Sequence, residues 1–577
     1  MWDELADGAP IVEFTKEDVL QLWRRGYSAP GPIVDLMVAA WVLDENQKLS
    51  LEAIAKKYCR IEMDKRLVRI GGKAMFRCDS GALVPIHEAP RSQLRAYCKR
   101  DVEAEIRVLW ALIQLLEEED LLEYFFEEEV PFTRVLAEME MAGMPVDLGA
   151  SERLRKKTEA EHSRLGAVLM EGLPDVFNLG SDQHVADYVF SKTVRIRGRI
   201  PVPDVPEVPE GFHPDWSKIG RLWLKGEWRF PGLGLPRGTV TETGKPSVSK
   251  TALRMNPHTR DHPWVRMYLE YQKLDTILTV FLRKFPEVAR ADADGRPRIY
   301  CHFNQTGTRT GRLSSSNPNM QNVPARGSLG KAIRSLFRVP DDDFPFLMGD
   351  HAQLETRLMA HFSGDPTLVE IFRAGRDPFV ELASRIYGKT VGKDDDERAV
   401  TKNVWYAQGY GAMAYKISEM LTMEGFPTSE SEADDLLTEL SSVLPVYFEW
   451  REDLIEYARA HGYVETIGGR RRRIALGGDT SWKATSHGER AAANAKVQGS
   501  AADIVRRTML RFRRSWLRLL LQVHDELVYQ YAVRTYPLGK ERDVVALREI
   551  AEVGHGYDLA VPLVFDARVA LSWAEKG

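Results

Sequence analysis

Eight residues near the C-terminal end, Leu521-Gln522-Val523-His524-Asp525-Glu526-Leu527-Val528, constrain this chain more than any others. Val523, Leu527 and Val528 read as strand, yet two acids sit side by side inside the run. Carboxylates are costly to bury without a compensating charge. The pattern therefore predicts a hairpin whose tight turn at His524-Asp525 exposes both acids while its flanks stay in a sheet. A turn that merely happens to carry acids would look the same. A second acidic segment, Gly349-Asp350-His351-Ala352-Gln353-Leu354-Glu355, lies far upstream and gives the first a partner.

Between the two acidic segments, Arg398, Lys402, Tyr406 and Tyr410 are spaced by four. On one helix such residues share a face, and the row spans about 18 Å. Two cations followed by two aromatics suit a triphosphate at one end and a planar base at the other. For one helix alone, a solvated cationic face running into core aromatics is the plainer alternative. Asp350 and Asp525 change the weighing. Two carboxylates can hold two divalent ions about 3.5–4 Å apart, across the attacking and leaving oxygens of a phosphoryl transfer. Oxygen ligands make Mg²⁺ the natural ion.

A length of 577 residues leaves room for roughly three to five domains. Net charge is −5 with 28% charged residues, so any surface for a polyanion must be local. Cys59, Cys78, Cys98 and Cys301 are widely spaced with no Cys-x-x-Cys pair. That argues against a zinc ribbon or disulfide frame and fits a reducing compartment. Asp3, Glu4 and Asp7 with no long apolar run argue against a signal peptide or membrane anchor, so the expectation is a soluble intracellular protein.

The first 125 residues read as mostly helical. Residues 194–248, rich in Pro and Gly, read as an irregular insertion with little core of its own. A helix is expected from about Pro263 to Phe285, then a short strand at Arg298 to Phe303. The segment Ala383-Ser384-Arg385-Ile386-Tyr387-Gly388-Lys389-Thr390 nearly matches a phosphate-binding loop, but Ala383 replaces the first glycine. It reads instead as a helix end capped by Gly388.

The acidic segments and the row between them resemble known motifs. Asp350 through Arg357, continuing over Ala360-His361-Phe362-Ser363-Gly364-Asp365, resembles motif A of the family A DNA polymerases, the bacterial DNA polymerase I type. Arg398-x3-Lys402-x3-Tyr406-x3-Tyr410-Gly411 looks like motif B, and Val523-His524-Asp525-Glu526 like motif C. Thr308-Arg309-Thr310-Gly311-Arg312 through Val323-Pro324 is similar to the stretch where that family's thumb meets its palm. Gly469-Arg470-Arg471 and Glu489-Arg490 through Gln498-Gly499 match two further segments. The resemblance covers about residues 130 to 577, in the family's order.

That resemblance implies an α+β right-hand fold: helical thumb, palm with an antiparallel sheet, helical fingers, and a partial exonuclease-like domain in front. The implied division is 1–125 exonuclease-like, 126–300 thumb and connecting region, 301–376 and 476–577 palm, and 377–475 fingers. The implied activity is primer extension on a DNA template by two-metal phosphoryl transfer. Asp350 and Asp525 would bind two Mg²⁺ ions, with Glu526 as a supporting acid. Arg398 and Lys402 would grip the nucleotide's phosphates, and Lys402 could protonate the leaving pyrophosphate. Tyr406 would pack on the nucleotide, Tyr410 would stack near the templating base, and Gln353 would border the same site. Glu355 would be the steric gate against a 2′-hydroxyl. Arg312, Arg490, Asn494, Gln498 and His524 would track the primer-template. His351-Ala352 and Trp405-Tyr406-Ala407 depart from the family's usual Tyr-Ser and Asn-Phe-Gly without removing a catalytic atom. The implied partners are primer-template DNA and deoxynucleoside triphosphates, in the cytoplasm of a bacterial or phage-infected cell.

The front of the chain resembles the later part of the family's 3′–5′ exonuclease domain. Tyr97-x3-Asp101 looks like its last motif and Val34-Asp35 like an earlier element, with Asp18 as a middle acid. The expected first Asp-x-Glu has no room before residue 18. The expectation is a structural remnant without proofreading by this chain alone. A separately encoded exonuclease half is the alternative, and a processivity factor is a further possible partner.

Overall fold

The structure is a computed structural model that describes residues 11–13, 16–27, 31–70, 73–201, 213–215, 223–241, 243–339, 344–476, 482–533 and 537–575. The chain forms two compact units. One comprises the residues up to Asp147, Val288–Gly411 and those from Thr438 onward, and the other comprises Leu148–Glu287 with Ala412–Leu437.

At the centre of the first unit lies a four-stranded antiparallel sheet, in the order Leu517–Val523, Glu526–Tyr531, Phe346–His351, Phe565–Ala570. Phe346, Leu347 and Met348 are fully buried, as an apolar run covered on both faces should be. Gly349 has no alternative there: an added Cβ would lie 2.4 Å from the Phe565 ring and 2.7 Å from the Asp566 carbonyl. The strand thus delivers Asp350 to its edge, directly opposite Glu526 on one side and Asp566 on the other.

Among the described residues, the first 125 are mostly helical, as their apolar spacing predicts, with short strands added between the helices. Ile11–Glu13 pairs in parallel with Ile33–Asp35, and Leu67–Ile70, Lys73–Arg77 and Leu83–Pro85 form an antiparallel sheet. Asp35 ends its strand and caps the helix Leu36–Leu43, accepting from the Met37 and Val38 amides at 2.9 and 3.1 Å. That helix is apolar all round and buried except at Met37, as a core helix must be. Against it packs the long helix Arg91–Glu118 through Val108, Leu112 and Leu116.

The second unit corrects the reading of residues 194–248 as irregular. Thr193–Pro201 and Trp223–Pro231 pair in antiparallel register over their whole length, with His213–Asp215 on the outer edge. Residues 202–212 and 216–222 lie outside the described residues. Val194 and Ile196 are buried with Leu169, Val189 and Tyr268, so this hairpin shares a core with the helices Leu148–Met170, Asp182–Phe190 and Pro263–Ile277. The helix expected to reach Phe285 changes at Leu278 to a π-helical turn.

The near-phosphate loop at residues 383–390 is the end of the helix Pro378–Ile386. Gly388 follows with φ +63°, as a helix-terminating glycine.

Candidate active site

The strands Leu517–Val523 and Glu526–Tyr531 close their ladder at Val523 and Glu526, leaving His524 and Asp525 as a two-residue turn. His524 has φ +57°, the positive value a primed hairpin turn needs at its first position. The turn was legible, but the exposure of both acids was not. Glu526 lies in the strand, buried, and pairs with Arg334 at 3.0 Å. Asp525 is half-buried, and burial, then Asp350 and Glu355, push its carboxyl up to about 6.

Charge along this sheet edge does not balance. Glu526, Asp350 and Asp566 stand in one cross-strand row with Asp525 at the adjoining turn. Like charges placed directly opposite destabilise a sheet. Arg334 offsets Glu526, and Arg568 lies 3.8 Å from both Asp350 and Asp566. Arg312 acts on Asp525 from farther off, so among the described residues four carboxylates have only Arg334 and Arg568 within 4.0 Å. A site of oxygen ligands left short of positive charge fits divalent cations.

Asp525 and His524 line a cavity of about 330 Å³ together with Arg312, Gln353, Glu355, Tyr406 and Tyr410. Seven residues singled out in the sequence therefore meet in one cleft. Gln353 takes a left-handed conformation, φ +58°, where the sheet strand gives way to the helix Leu354–Ser363. Glu355, in that helix's first turn, is held at both oxygens: Arg312 pairs with one, and the Tyr410 hydroxyl donates to the other at 2.9 Å.

The helix Asp396–Gly409 carries Arg398, Lys402 and Tyr406 but ends before Tyr410, which caps it. Gly411 follows with φ +74°, and an added Cβ would lie 2.3 Å from Arg490. The Arg398 guanidinium is held by Asp377 at 2.7 and 3.3 Å. Burial, then Arg398 and Arg326, keep the Lys402 ammonium below its usual range. Tyr406 is half-buried with its ring 5.7 Å from Phe379, and its hydroxyl bonds Thr356. Trp405, on another face, is fully buried and donates to Thr356 at 3.2 Å. Arg490, Asn494 and Gln498 follow one another at steps of four along the helix Trp482–Arg511, and Gln498 reaches the Tyr410 hydroxyl.

Several partners escaped the sequence reading. Arg334, Arg568 and Asp566 leave no local signal, because they reach the acids only through strand pairing and tertiary contact. Asp377 did leave one: Asp-Pro opening a helix is an N-cap signature, and Asp377 accepts from the Phe379 and Val380 amides. His351 is buried against Phe565 with its pKa lowered to about 3 by burial, so it stays neutral and packs the sheet.

In the front region Tyr97 and Asp101 hydrogen-bond within one helix, and Asp18 stands in the first turn of the helix Lys16–Arg24. Among the described residues, neither Asp18 nor Asp101 lies in a cluster of three candidate metal ligands. Among the described residues, only Glu17, Glu140 and His302 bring three candidate ligand atoms within 4.8 Å of one another, and the Lys16 ammonium already pairs with Glu140 there.

Comparison with known proteins agrees with this geometry. The DNA polymerase family A model matches residues 226–575, and a 3′–5′ exonuclease model matches residues 9–117. The thermostable DNA polymerase I of Thermus filiformis is 32% identical over 464 residues, covering 79% of this chain and 49% of that protein. DNA polymerase I of Mycobacterium tuberculosis is 29% identical over 574 residues, covering 97% of this chain and 55% of the relative. The chain thus spans about half the length of the curated relatives it matches. Among solved structures, the POL domain of Pol1 from M. smegmatis, in complex with DNA primer-template and dNTP, superposes with a TM-score of 0.78. It is 26% identical, and the match covers 98% of this chain and 86% of that one. With its acids, cationic helix and cleft in the family's order, and with the polymerase model spanning more than half its length, the chain belongs to DNA polymerase family A.

Proposed function

We propose that the chain is a template-directed DNA polymerase that extends a primer 3′ end with deoxynucleotides. The observation that carries this reading is the sheet edge where Asp350, Asp525, Glu526 and Asp566 gather, with Arg334 and Arg568 the guanidiniums within 4.0 Å among the described residues, beside a cleft lined by Arg312, Glu355 and Tyr406. Asp350 and Asp525 are the residues to hold two Mg²⁺ ions. Bound there, such ions supply charge neutralisation to the attacking and leaving oxygens.

The remaining roles fall to the chain itself. Arg398 and Lys402 bind the triphosphate, and Asp377 fixes the Arg398 fork in advance so that less freedom is lost on binding. The primer 3′-hydroxyl attacks the α-phosphorus, and pyrophosphate leaves toward Lys402. A depressed ammonium pKa makes Lys402 a better acid for that departing group. Tyr406 packs on the nucleotide, Tyr410 stacks near the templating base, and Glu355 fills the space a 2′-hydroxyl needs. Arg312, Arg490, Asn494, Gln498 and His524 track the duplex through contacts that tolerate any sequence. Residues 126–300 act as thumb, 301–376 and 476–577 as palm, and 377–475 as fingers, behind an exonuclease-like region at 1–125.

The test is extension of a labelled primer-template by the full chain with Mg²⁺ and all four deoxynucleotides. Template-dependent extension that stops on chelation is expected. A chain that binds duplex but never extends it would instead be a DNA-binding protein.

A further inference from the structure

A second cavity, of about 600 Å³, lies between the helix Val130–Ala142, the end of the helix Trp482–Arg511, and the strands Leu517–Val523 and Glu526–Tyr531. It backs onto the candidate active cleft, and Met509 lines both. Its apolar wall includes Met139, Met141, Phe512 and Leu519. Thioethers adapt their shape and favour contact with aromatic rings.

The polar groups at this cavity are not balanced among themselves. Glu138 is fully engaged, by Arg513 at 2.8 and 3.0 Å and by Arg134 at 3.1 Å. That leaves Arg514 and Arg518 on the lining. Arg514 stacks over the Phe512 ring at 5.0 Å and donates to the Arg513 carbonyl at 3.0 Å. Among the described residues, neither Arg514 nor Arg518 has a carboxylate within 4.0 Å. Tyr529 is 2% exposed, yet among the described residues its buried hydroxyl has no hydrogen-bond partner. A native structure rarely leaves such a group unmatched without a reason.

We propose that this cavity binds a small aromatic anion: a planar ring carrying one carboxylate, sulfonate or phosphate group. The ring lies against Met139, Met141 and Phe512, the anionic head meets Arg514 and Arg518, and an acceptor atom on the ligand takes the hydrogen bond of the Tyr529 hydroxyl. The site is distinct from the cleft that holds Asp525, so it should remain open while that cleft is filled.

The test uses the full chain saturated with primer-template, titrated with 2-naphthoate in a calorimeter. One saturable site is expected, with a Kd on the order of 0.1 mM for a ligand of this size. Arg518→Glu should weaken binding about tenfold or more by reversing the charge at the head group. Tyr529→Phe should weaken it roughly fivefold to tenfold through one lost hydrogen bond. Its unfolding midpoint should not fall, because among the described residues no protein group bonds the native hydroxyl. Neutral 2-naphthamide should bind about tenfold more weakly than the acid, for want of the charge-assisted contact. Equal affinity for acid and amide, indifference to both substitutions, or displacement by deoxynucleotide would each overturn the proposal. Indifference of Tyr529→Phe alone would mean water satisfies the hydroxyl, and would overturn its part in the site.

Discussion

The Tyr406 hydroxyl bonds Thr356, which places a phenol oxygen on the wall of the cleft that also holds Asp525. A deoxynucleotide's 3′-hydroxyl contributes a polar contact in a closed site, and a chain terminator lacks it. Tyr406 can supply the missing partner, whereas Phe would leave neighbouring polar groups unmatched at about 1–3 kcal/mol. Wild type should therefore accept dideoxynucleotides readily, and Tyr406→Phe should discriminate against them by roughly 5-fold to 150-fold. Competing dideoxy- and deoxynucleotides in single-nucleotide extension measures this, and equal termination by both proteins would put the helix out of register with its assignment. Glu355 gives a second test. It is held between Arg312 and Tyr410, contacts that oppose its moving aside for a 2′-hydroxyl. Glu355→Ala should raise the ratio of kcat/KM for ribonucleotides over deoxynucleotides by about tenfold or more. An unchanged ratio would remove Glu355 from the gate. Tyr406 could be located from spacing, and Glu355 from the resemblance of its segment to the family's motif. Their partners could not, because Arg312–Glu355 and Arg334–Glu526 join residues that only the folded sheet brings together.

Among the elements, those with strong local chemistry were legible and those defined by distant pairing were not. The turn at His524-Asp525 and the helix end at Gly388 follow from residues within a few positions. The hairpin of Thr193–Pro201 with Trp223–Pro231 was missed although Val194, Ile196 and their charged neighbours alternate as a half-buried strand should. Pro and Gly nearby masked that period. The end of the cationic helix before Tyr410 was missed for a related reason: a spacing of four continues across a helix stop without marking it. Three elements meet at His302, whose Nδ1 lies 3.0 Å from Glu140 and 3.5 Å from Glu17, with Lys16 on the far side of Glu140. The Glu140 hydrogen bond raises the imidazole pKa above its usual value. A raised folded-state pKa favours the charged form, so this contact stabilises fully below about pH 6.5 and fades as pH rises through the raised value. His302→Gln should accordingly lower the urea midpoint more at about pH 5.5 than at about pH 9. A gap independent of pH would mean His302 acts by packing alone.

For the molecule as a whole, the family was legible from about residue 130 onward, because catalysis fixes residue types at fixed spacings. The front region was legible only as a likeness. A 3′–5′ exonuclease model matches residues 9–117, yet Asp18, Tyr97 and Asp101 do not join a metal-ligating group among the described residues. The full chain should then remove a mismatched primer 3′ end very slowly or not at all. Fast Mg²⁺-dependent removal, lost in Asp101→Ala, would show that other acids such as Asp35 or Glu13 complete that site. The central claim is that Asp350 and Asp525 together make the polymerising centre, and one measurement addresses it most directly: single-turnover primer extension by Asp350→Asn and Asp525→Asn beside wild type, with duplex affinity measured on the same preparations. Removing either carboxylate should cost several kcal/mol of transition-state stabilisation, about a thousandfold or more in rate, while duplex affinity stays near that of wild type. Extension by either variant within about tenfold of wild type, equivalent to roughly 1.4 kcal/mol, would contradict the assignment.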